Sequence, residues 1–247
     1  MQTEQAAHTT TLPFRVRCMS LRTLAAAAVA SLALVLGPSA VALADEPPNV
    51  GDAKSAAIAY HDSGEYERDL AEVSAQAINW IGTQVPSTPR AAVVFDIDET
   101  ALSNWEVIKA NDFGRFVNGP CNLPDACAWR AWDLTAQSTV IQPTLDTYNM
   151  AKALGAAVFF ITGRDEGQRA ATERNLQSAG YTGYAGLVMA PVGVHYASAA
   201  DFKAPQRAAI ETQGYTIVAN IGDQPSDLAG GHSEQTFLLP DPFYRIP

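Results

Sequence analysis

The sequence predicts an α/β fold built on a parallel sheet, and three observations carry that prediction. Short runs that are apolar throughout alternate with segments of helical spacing. Each apolar run is too short to be a helix and lacks the polar alternation of a half-exposed strand, as expected of strands buried on both faces. Three of the runs end directly in polar clusters. Regular alternation of strand and helix favours parallel strands joined by right-handed crossovers, and ligands of such sheets bind beyond the carboxyl ends of the strands.

The chain has 247 residues, enough for one such domain with a modest insertion. Its first segment reads differently. Arg15, Arg17 and Arg22 precede an apolar run from Leu24 to Leu36, Gly37-Pro38-Ser39 interrupts it, and Ala42-Leu43-Ala44 offers a small-residue cleavage site. Residues 1–44 therefore read as a signal peptide cleaved near Ala44, with translation starting at Met1 or Met19. The mature chain, 45–247, is expected to be secreted or extracytoplasmic without a stable membrane anchor. Removing the leader takes away three Arg and one Glu and shifts the net charge from −10 to −12. That excess argues against a nucleic acid polymer or an anionic membrane as partner. An anionic substrate must then be drawn in by local charge. Nothing in the sequence indicates an oligomeric state.

Residues 45–55 read as a short polar leader. From 65 to 84, Tyr66, Leu70, Val73, Ala77 and Ile81 follow helical spacing until Pro86 and Pro89. The opening strand, 91–96, comes next. Residues 101–142 have no clean period and hold Trp105, Phe113, Phe116, Trp129 and Trp132, so they read as an inserted cap. Its rings either form a small core of their own or cover the acidic turn before them. A helix from Pro143 ends at Gly155, and a strand over 157–161 runs into Thr162-Gly163-Arg164-Asp165. Asp165 and Gln168 stand as a capping box for the next helix, which Gly180 closes. A weaker strand spans 186–189. Pro205 suits the first position of a helix ending near Gly214. Strands over 216–221 and 236–239 complete the series, the former running into Gly222-Asp223-Gln224-Pro225-Ser226-Asp227.

Without Cys18 the mature chain keeps Cys121 and Cys127, six apart. In an oxidising compartment the pair suggests a small disulfide loop. Two free thiols or half a metal site are the alternatives, and the lack of a His pair at ligand spacing makes zinc improbable.

The stretch Ala91–Thr100, AAVVFDIDET, runs five apolar residues into three acids. Crowded carboxylates need a cation, a proton or a positive dipole to be tolerated. An EF-hand loop is excluded, because its sixth position would be Ala101 and its twelfth Val107. Asp96 and Asp98 can instead face one pocket around a tight turn, with Asp223 joining from a neighbouring strand. Hard oxygen ligands with room for water describe a magnesium site. Phosphoryl transfer fits the remaining parts. A carboxylate can attack phosphorus, a second can move protons, and Thr162, Gly163 and Lys203 can meet the phosphoryl charge.

DIDET, ITGR, the Lys203 segment and GDQPSD stand in the order of the haloacid dehalogenase superfamily. FDIDETALSN, FFITGR, GYTIVANIGDQPSDL and LPDPFYRIP more narrowly resemble its acid phosphatase branch, which includes the class B-type and plant acid phosphatases and the vegetative storage proteins. The likeness spans about residues 55–247. It implies a Rossmann-like parallel sheet with helices on both faces and a small cap after the first core strand. It implies Asp96 as nucleophile and Asp98 as general acid and base. Thr162, Gly163 and Lys203 would hold phosphate. Asp96, the Asp98 carbonyl and Asp223 would bind Mg2+, with Asp227 a further ligand or water-orienting group. The substrate implied is a small-molecule phosphate monoester; a selective 5′-nucleotidase, or a catalytically weak storage or binding protein, are the alternatives. Ala200-Asp201-Phe202 and Pro225 depart from the plant pattern and bear on substrate contacts. Arg164 either binds substrate or braces its loop. His61, His195 and His232 read as solvated or structural, and Phe243 and Tyr244 as anchors of the chain end.

Overall fold

The computed structural model describes residues 47–247, so the leader 1–44 and its cleavage near Ala44 lie outside the described residues. In order the elements are α1 (Val50–Asp62), α2 (Glu65–Gln84), β1 (Ala91–Phe95), β2 (Leu102–Ser103), α3 (Trp105–Ala110), α4 (Trp129–Thr135), β3 (Thr139–Val140) and α5 (Gln142–Ala153). There follow β4 (Ala157–Asp165), α6 (Arg169–Ser178), β5 (Gly186–Ala190), α7 (Ala199–Thr212), β6 (Thr216–Gly222), α8 (Pro225–Leu228) and β7 (Gln235–Leu238).

Five strands form one sheet in the order β5-β4-β1-β6-β7, and every neighbouring pair is parallel. β1 is central and buried along its whole length. Its pleat divides the core. Val93 and Phe95 pack with residues of α2, α5 and α6, while Ala92 and Val94 pack with Phe202 and Ile210 of α7. Helices thus cover both faces, which is why no residue of the strand could be polar. Gly180 ends the α6 segment with φ +98°, a backbone state that costs glycine little.

Three expectations change. The chain at 45–55 is not simply a polar leader. Helix α1 starts at Val50, capped by the Asn49 side chain, which accepts from the amides of Gly51 and Asp52. None of its residues is fully buried, so it carries no apolar stripe that would have announced it. The second change is α7, which starts at Ala199 and not at Pro205. Ser198 and Asp201 form a capping box there, and Pro205 lies inside the helix. Its missing N–H removes one intrahelical bond, which the cap and the buried face of α7 outweigh. The third is the strand from Ala157, which continues past Ile161 to Asp165.

The insertion opens and closes with the antiparallel pair β2–β3. Its aromatic residues do not make a separate core, because Val107, Ile108, Cys127, Trp129 and Trp132 belong to the same buried cluster as Phe95 and Tyr148. Cys121 and Cys127 are joined as a disulfide. His61 stacks on Trp105 with ring centroids 3.8 Å apart, and His232 pairs with Glu211 at 2.6 Å. Among the described residues, no helix is long and apolar enough to cross a membrane.

Candidate active site

Sheet order decides which residues meet. β4 and β6 flank β1, so the polar ends of all three strands open into one cavity of about 560 Å³. After β1 the Asp96 amide still donates to the Ile221 carbonyl at 2.9 Å, so Asp96 is held as a continuation of the strand. The chain then turns on the Ile97 carbonyl, which accepts from the amides of Ala101 at 2.8 Å and Leu102 at 2.9 Å. Glu99 adopts φ +51° within that turn. Its carboxyl is buried, accepting from the Asn104 amide and from the Tyr66 hydroxyl at 3.3 Å.

Asp96, Asp223 and Asp227 each offer an oxygen, all within 4.8 Å of one another, and all three are buried. Asp227 reaches this place because only Asp223 and Gln224 separate β6 from α8. A Cβ on Gly222 would stand 2.7 Å from the Asp227 Cβ, so only glycine permits the approach. Lys203 projects from α7 and bonds Asp96, and Asp227 Oδ1 at 2.7 Å. Asp223 Oδ1 accepts from the Thr100 hydroxyl at 3.0 Å.

Charge is unevenly balanced here. Burial raises Asp96 to about 7, with Asp227 and Asp98 adding to the effect and Lys203 opposing it. Burial, then Asp227 and Asp96, push Asp223 well up. Burial would lower Lys203, but Asp227 and Asp96 outweigh it and hold it protonated. Ionising all three carboxylates around one ammonium would leave surplus negative charge on buried side chains. The donor set is all hard oxygen, which fits magnesium.

Asp98 stands outside this trio. Its carboxylate takes a two-pronged contact from Arg164, Nη2 at 2.6 Å and Nε at 3.1 Å, and accepts from Asn104 Nδ2 at 2.8 Å. Burial would raise its pKa, but Arg164 and Asn104 pull it below the usual value. Arg164 also lies 3.2 Å from Asp133 of α4. Burial lifts Asp133 to about 7, and Gln168 Nε2 donates to it at 2.7 Å. Arg164 therefore braces Asp98 to the insertion. Thr162 is fully buried, its hydroxyl accepting from the Arg164 amide at 3.1 Å. Gly163 lines the cavity, and a Cβ there would meet nothing within 4 Å.

Of the candidates from the sequence, Asp96, Asp98, Gly163, Lys203, Asp223 and Asp227 line the cavity, whereas Thr162 is fully buried and does not line it. The insertion contributes Arg115, Trp129 and Asp133 to the wall, so it covers the acidic turn. Asp165 and Gln168 form their capping box. Sequence reasoning missed Thr100, Asn104, Asp133, Gln224 and Asp241. Thr100, Asn104, Gln224 and Asp241 stand inside the quoted motifs, whereas Asp133 lies in the insertion, where no period marks it.

A family model described as "HAD superfamily, subfamily IIIB (Acid phosphatase)" matches residues 17–247. The stem 28 kDa glycoprotein of Glycine max is 33% identical over 190 residues, covering 76% of this chain and 72% of that protein. Acid phosphatase 1 of Solanum lycopersicum is 31% identical over 183 residues, 73% of this chain and 69% of that protein. The class C acid phosphatase from Bacillus anthracis superposes with a TM-score of 0.62 at 17% identity, covering 79% of this chain and 86% of that one. At that identity the likeness is one of fold.

Proposed function

The chain belongs to subfamily IIIB of the HAD superfamily, the acid phosphatases, and on that premise we propose a magnesium-dependent hydrolysis of phosphate monoesters through an aspartyl-phosphate on Asp96. It is a phosphomonoesterase by family. The observation that supports the finer reading is the convergence of Asp96, Asp223, Asp227 and Lys203 at the strand ends.

Asp96, rigid at the end of β1, attacks phosphorus and expels the alcohol oxygen. Asp98 protonates that oxygen and, as carboxylate, later takes a proton from the water that cleaves the acyl-phosphate. An incoming phosphate dianion competes with Asp98 for Arg164, which frees the carboxyl to carry a proton in the first step. The second step needs the ionised form that the Arg164 pair favours. Lys203, the Thr162 hydroxyl and the Gly163 amide hold the phosphoryl oxygens. Mg2+ held by Asp96, Asp223, Asp227 and the Asp98 carbonyl would supply the positive charge that draws phosphate into an acidic chain.

Trp129 and Tyr244 both border the cavity, ring centroids 5.2 Å apart. This aromatic wall favours a flat leaving group and keeps the nucleotidase reading open. Retention of Asp96, Asp98, Lys203 and Asp223 speaks against a storage role without turnover. Residues 1–44 direct export in this reading, so the amino terminus of protein recovered outside the cell should lie near Asp45.

The deciding experiment is phosphate release by the purified mature chain from alkyl, aryl and nucleoside 5′-monophosphates, with chelator and with added magnesium. Release that stops in chelator and returns with magnesium supports the reading. Full activity in excess chelator would remove the metal from it.

A further inference from the structure

Residues 240–247 fold back over the carboxyl ends of the strands, and one side chain ties them to the acid cluster. Gln224 is 1% exposed. Its Nε2 donates to Asp223 Oδ2 at 2.6 Å and to Asp241 Oδ2 at 2.5 Å. Its Oε1 accepts from the Ile246 amide at 3.2 Å and from Arg245 Nη1 at 3.4 Å. Both protons and both lone pairs of the amide are used, so turning it over would set like against like at every contact. Asp241 Oδ1 accepts from the Phe243 amide at 3.0 Å. The Ser226 hydroxyl donates to the Ile246 carbonyl at 3.2 Å, and the Ala199 amide to the Pro247 carbonyl at 2.9 Å. Ala199 is the first residue of α7, the helix that carries Lys203. Phe243 packs against Tyr66 at 4.9 Å and Trp105 at 5.0 Å. The segment is fastened at the β6 end, at α7 and at the aromatic cluster beneath the insertion.

Asp223 is oriented by two neutral donors, Thr100 on one oxygen and Gln224 on the other. Neutral donors fix the plane of a carboxylate without cancelling its charge. The Gln224 amide also bridges Asp223 and Asp241, two acids close enough to act on each other. We infer that Gln224 is a positioning residue that holds Asp223 in the attitude of a magnesium ligand, with residues 240–247 as its brace. The inference rests on the magnesium reading above and extends it to a residue and a segment outside the catalytic set. Hydrogen bonds that orient ligating carboxylates are worth ~10–100-fold in metal affinity or activity when removed.

Gln224→Leu keeps most of the volume and removes both donors. Calorimetric titration of the full chain with magnesium alone should show a Kd raised ~10–100-fold. At saturating magnesium, KM for a small phosphoester should stay within about twofold of wild type, since the Gln224 amide is fully engaged by protein groups. Asp241→Ala leaves the Gln224–Asp223 bond, loosens its brace and removes a negative charge that acts on Asp223, so it should raise the Kd in the same direction by a smaller factor. Circular dichroism reports folding for each; a merely structural role would lower the melting temperature and leave the Kd of folded protein where it was. If Gln224→Leu does not fold, Asp241→Ala decides. Unchanged magnesium affinity in the folded variant, with wild type binding normally, overturns this inference alone. Wild type that binds no magnesium overturns the metal reading and this inference with it.

Discussion

The two sides of the cavity floor handle their acids in opposite ways. Between β1 and β6, Asp96, Asp223 and Asp227 share one lysine, so ionising all three leaves surplus negative charge. Between β1 and β4, Asp98 is matched by the guanidinium of Arg164, and the second acid, Asp133, is lifted to about 7 by burial. A fixed guanidinium suits a carboxylate whose orientation must persist. A surplus of carboxylates suits a place that a free cation is to fill. In the proposed function the contrast separates a metal site from a proton-transfer site, and each of the following measurements would break or sharpen it.

The largest effect should come from Asp96→Asn. If Asp96 is the nucleophile, turnover should fall more than ~10⁴-fold and acid quenching should trap no phosphoenzyme. A phosphorylated Asp96→Asn protein would place the nucleophile elsewhere.

Asp98→Asn should cost ~10²–10⁴-fold on an alkyl phosphate, whose alkoxide needs a proton, and less on a nitrophenyl phosphate. With the nitrophenyl ester, phosphoenzyme should accumulate because water is no longer activated. Equal losses on both esters in single-turnover kinetics would erase the difference between the two sides of the floor.

Asp223→Asn removes one charged oxygen from the surplus side. The magnesium concentration for half-maximal activity should rise ~10–100-fold, with maximal rate recovered at high metal. A rate that stayed low at any magnesium concentration would make Asp223 more than a ligand.

Stability should show the same asymmetry, more gently. Asp96 is held at about 7 in the fold and Asp223 is raised, whereas in the unfolded chain both titrate near ~4. Across that window the folded chain binds more protons, so metal-free stability falls as pH rises from about 4 through about 7. Asp133, at about 7, and Glu99, at about 8, are lifted by burial and act in the same direction. The lowered Asp98 is ionised in both states between about pH 5 and pH 8 and adds no slope there. In chelator the melting temperature should therefore be lower at pH 8 than at pH 5. Magnesium should recover part of the loss at pH 8 and little at pH 5, because it relieves the cluster and leaves Asp133 and Glu99 as they are. Equal stabilisation at both pH values would mean that the surplus charge is not in the cluster.

The smallest effect belongs to the insertion. Reducing the Cys121–Cys127 bond opens a short loop, worth ~2 kcal/mol at most in loop entropy. Thiol titration of the oxidised, denatured protein should find no free thiol before reduction. Two titratable thiols would reject the bond.

Much of this was legible in one dimension, and the reason is locality. Whether a strand is buried on both faces shows in five consecutive residues, as at Ala91–Phe95. A capping box occupies four, as at Asp165 and Gln168. Strand-end polar clusters follow their strands directly, so Asp96, Thr162 and Asp223 were visible as candidates before any fold was known. Helix α1 was hidden because none of its residues is fully buried, so it has no periodic face. The start of α7 was misplaced because Pro205 signals a first turn, while the Ser198–Asp201 cap and burial of Phe202 and Lys203 carry the helix through it.

By itself, then, the sequence determined the sheet, the order of its elements and the three acidic strand ends, since these follow from patterns within a few residues of each other. Only the tertiary structure decided that Asp133 of the insertion meets Arg164, that Arg164 belongs to Asp98 and not to the Asp96–Asp223–Asp227 cluster, and that Gln224 joins Asp223 to the last residues of the chain. Those pairings depend on strand order, turn shape and the close approach allowed at Gly222. Side chains 17 to 66 positions apart have no shared period, and what brings them together is the packing of elements that the sequence specifies separately.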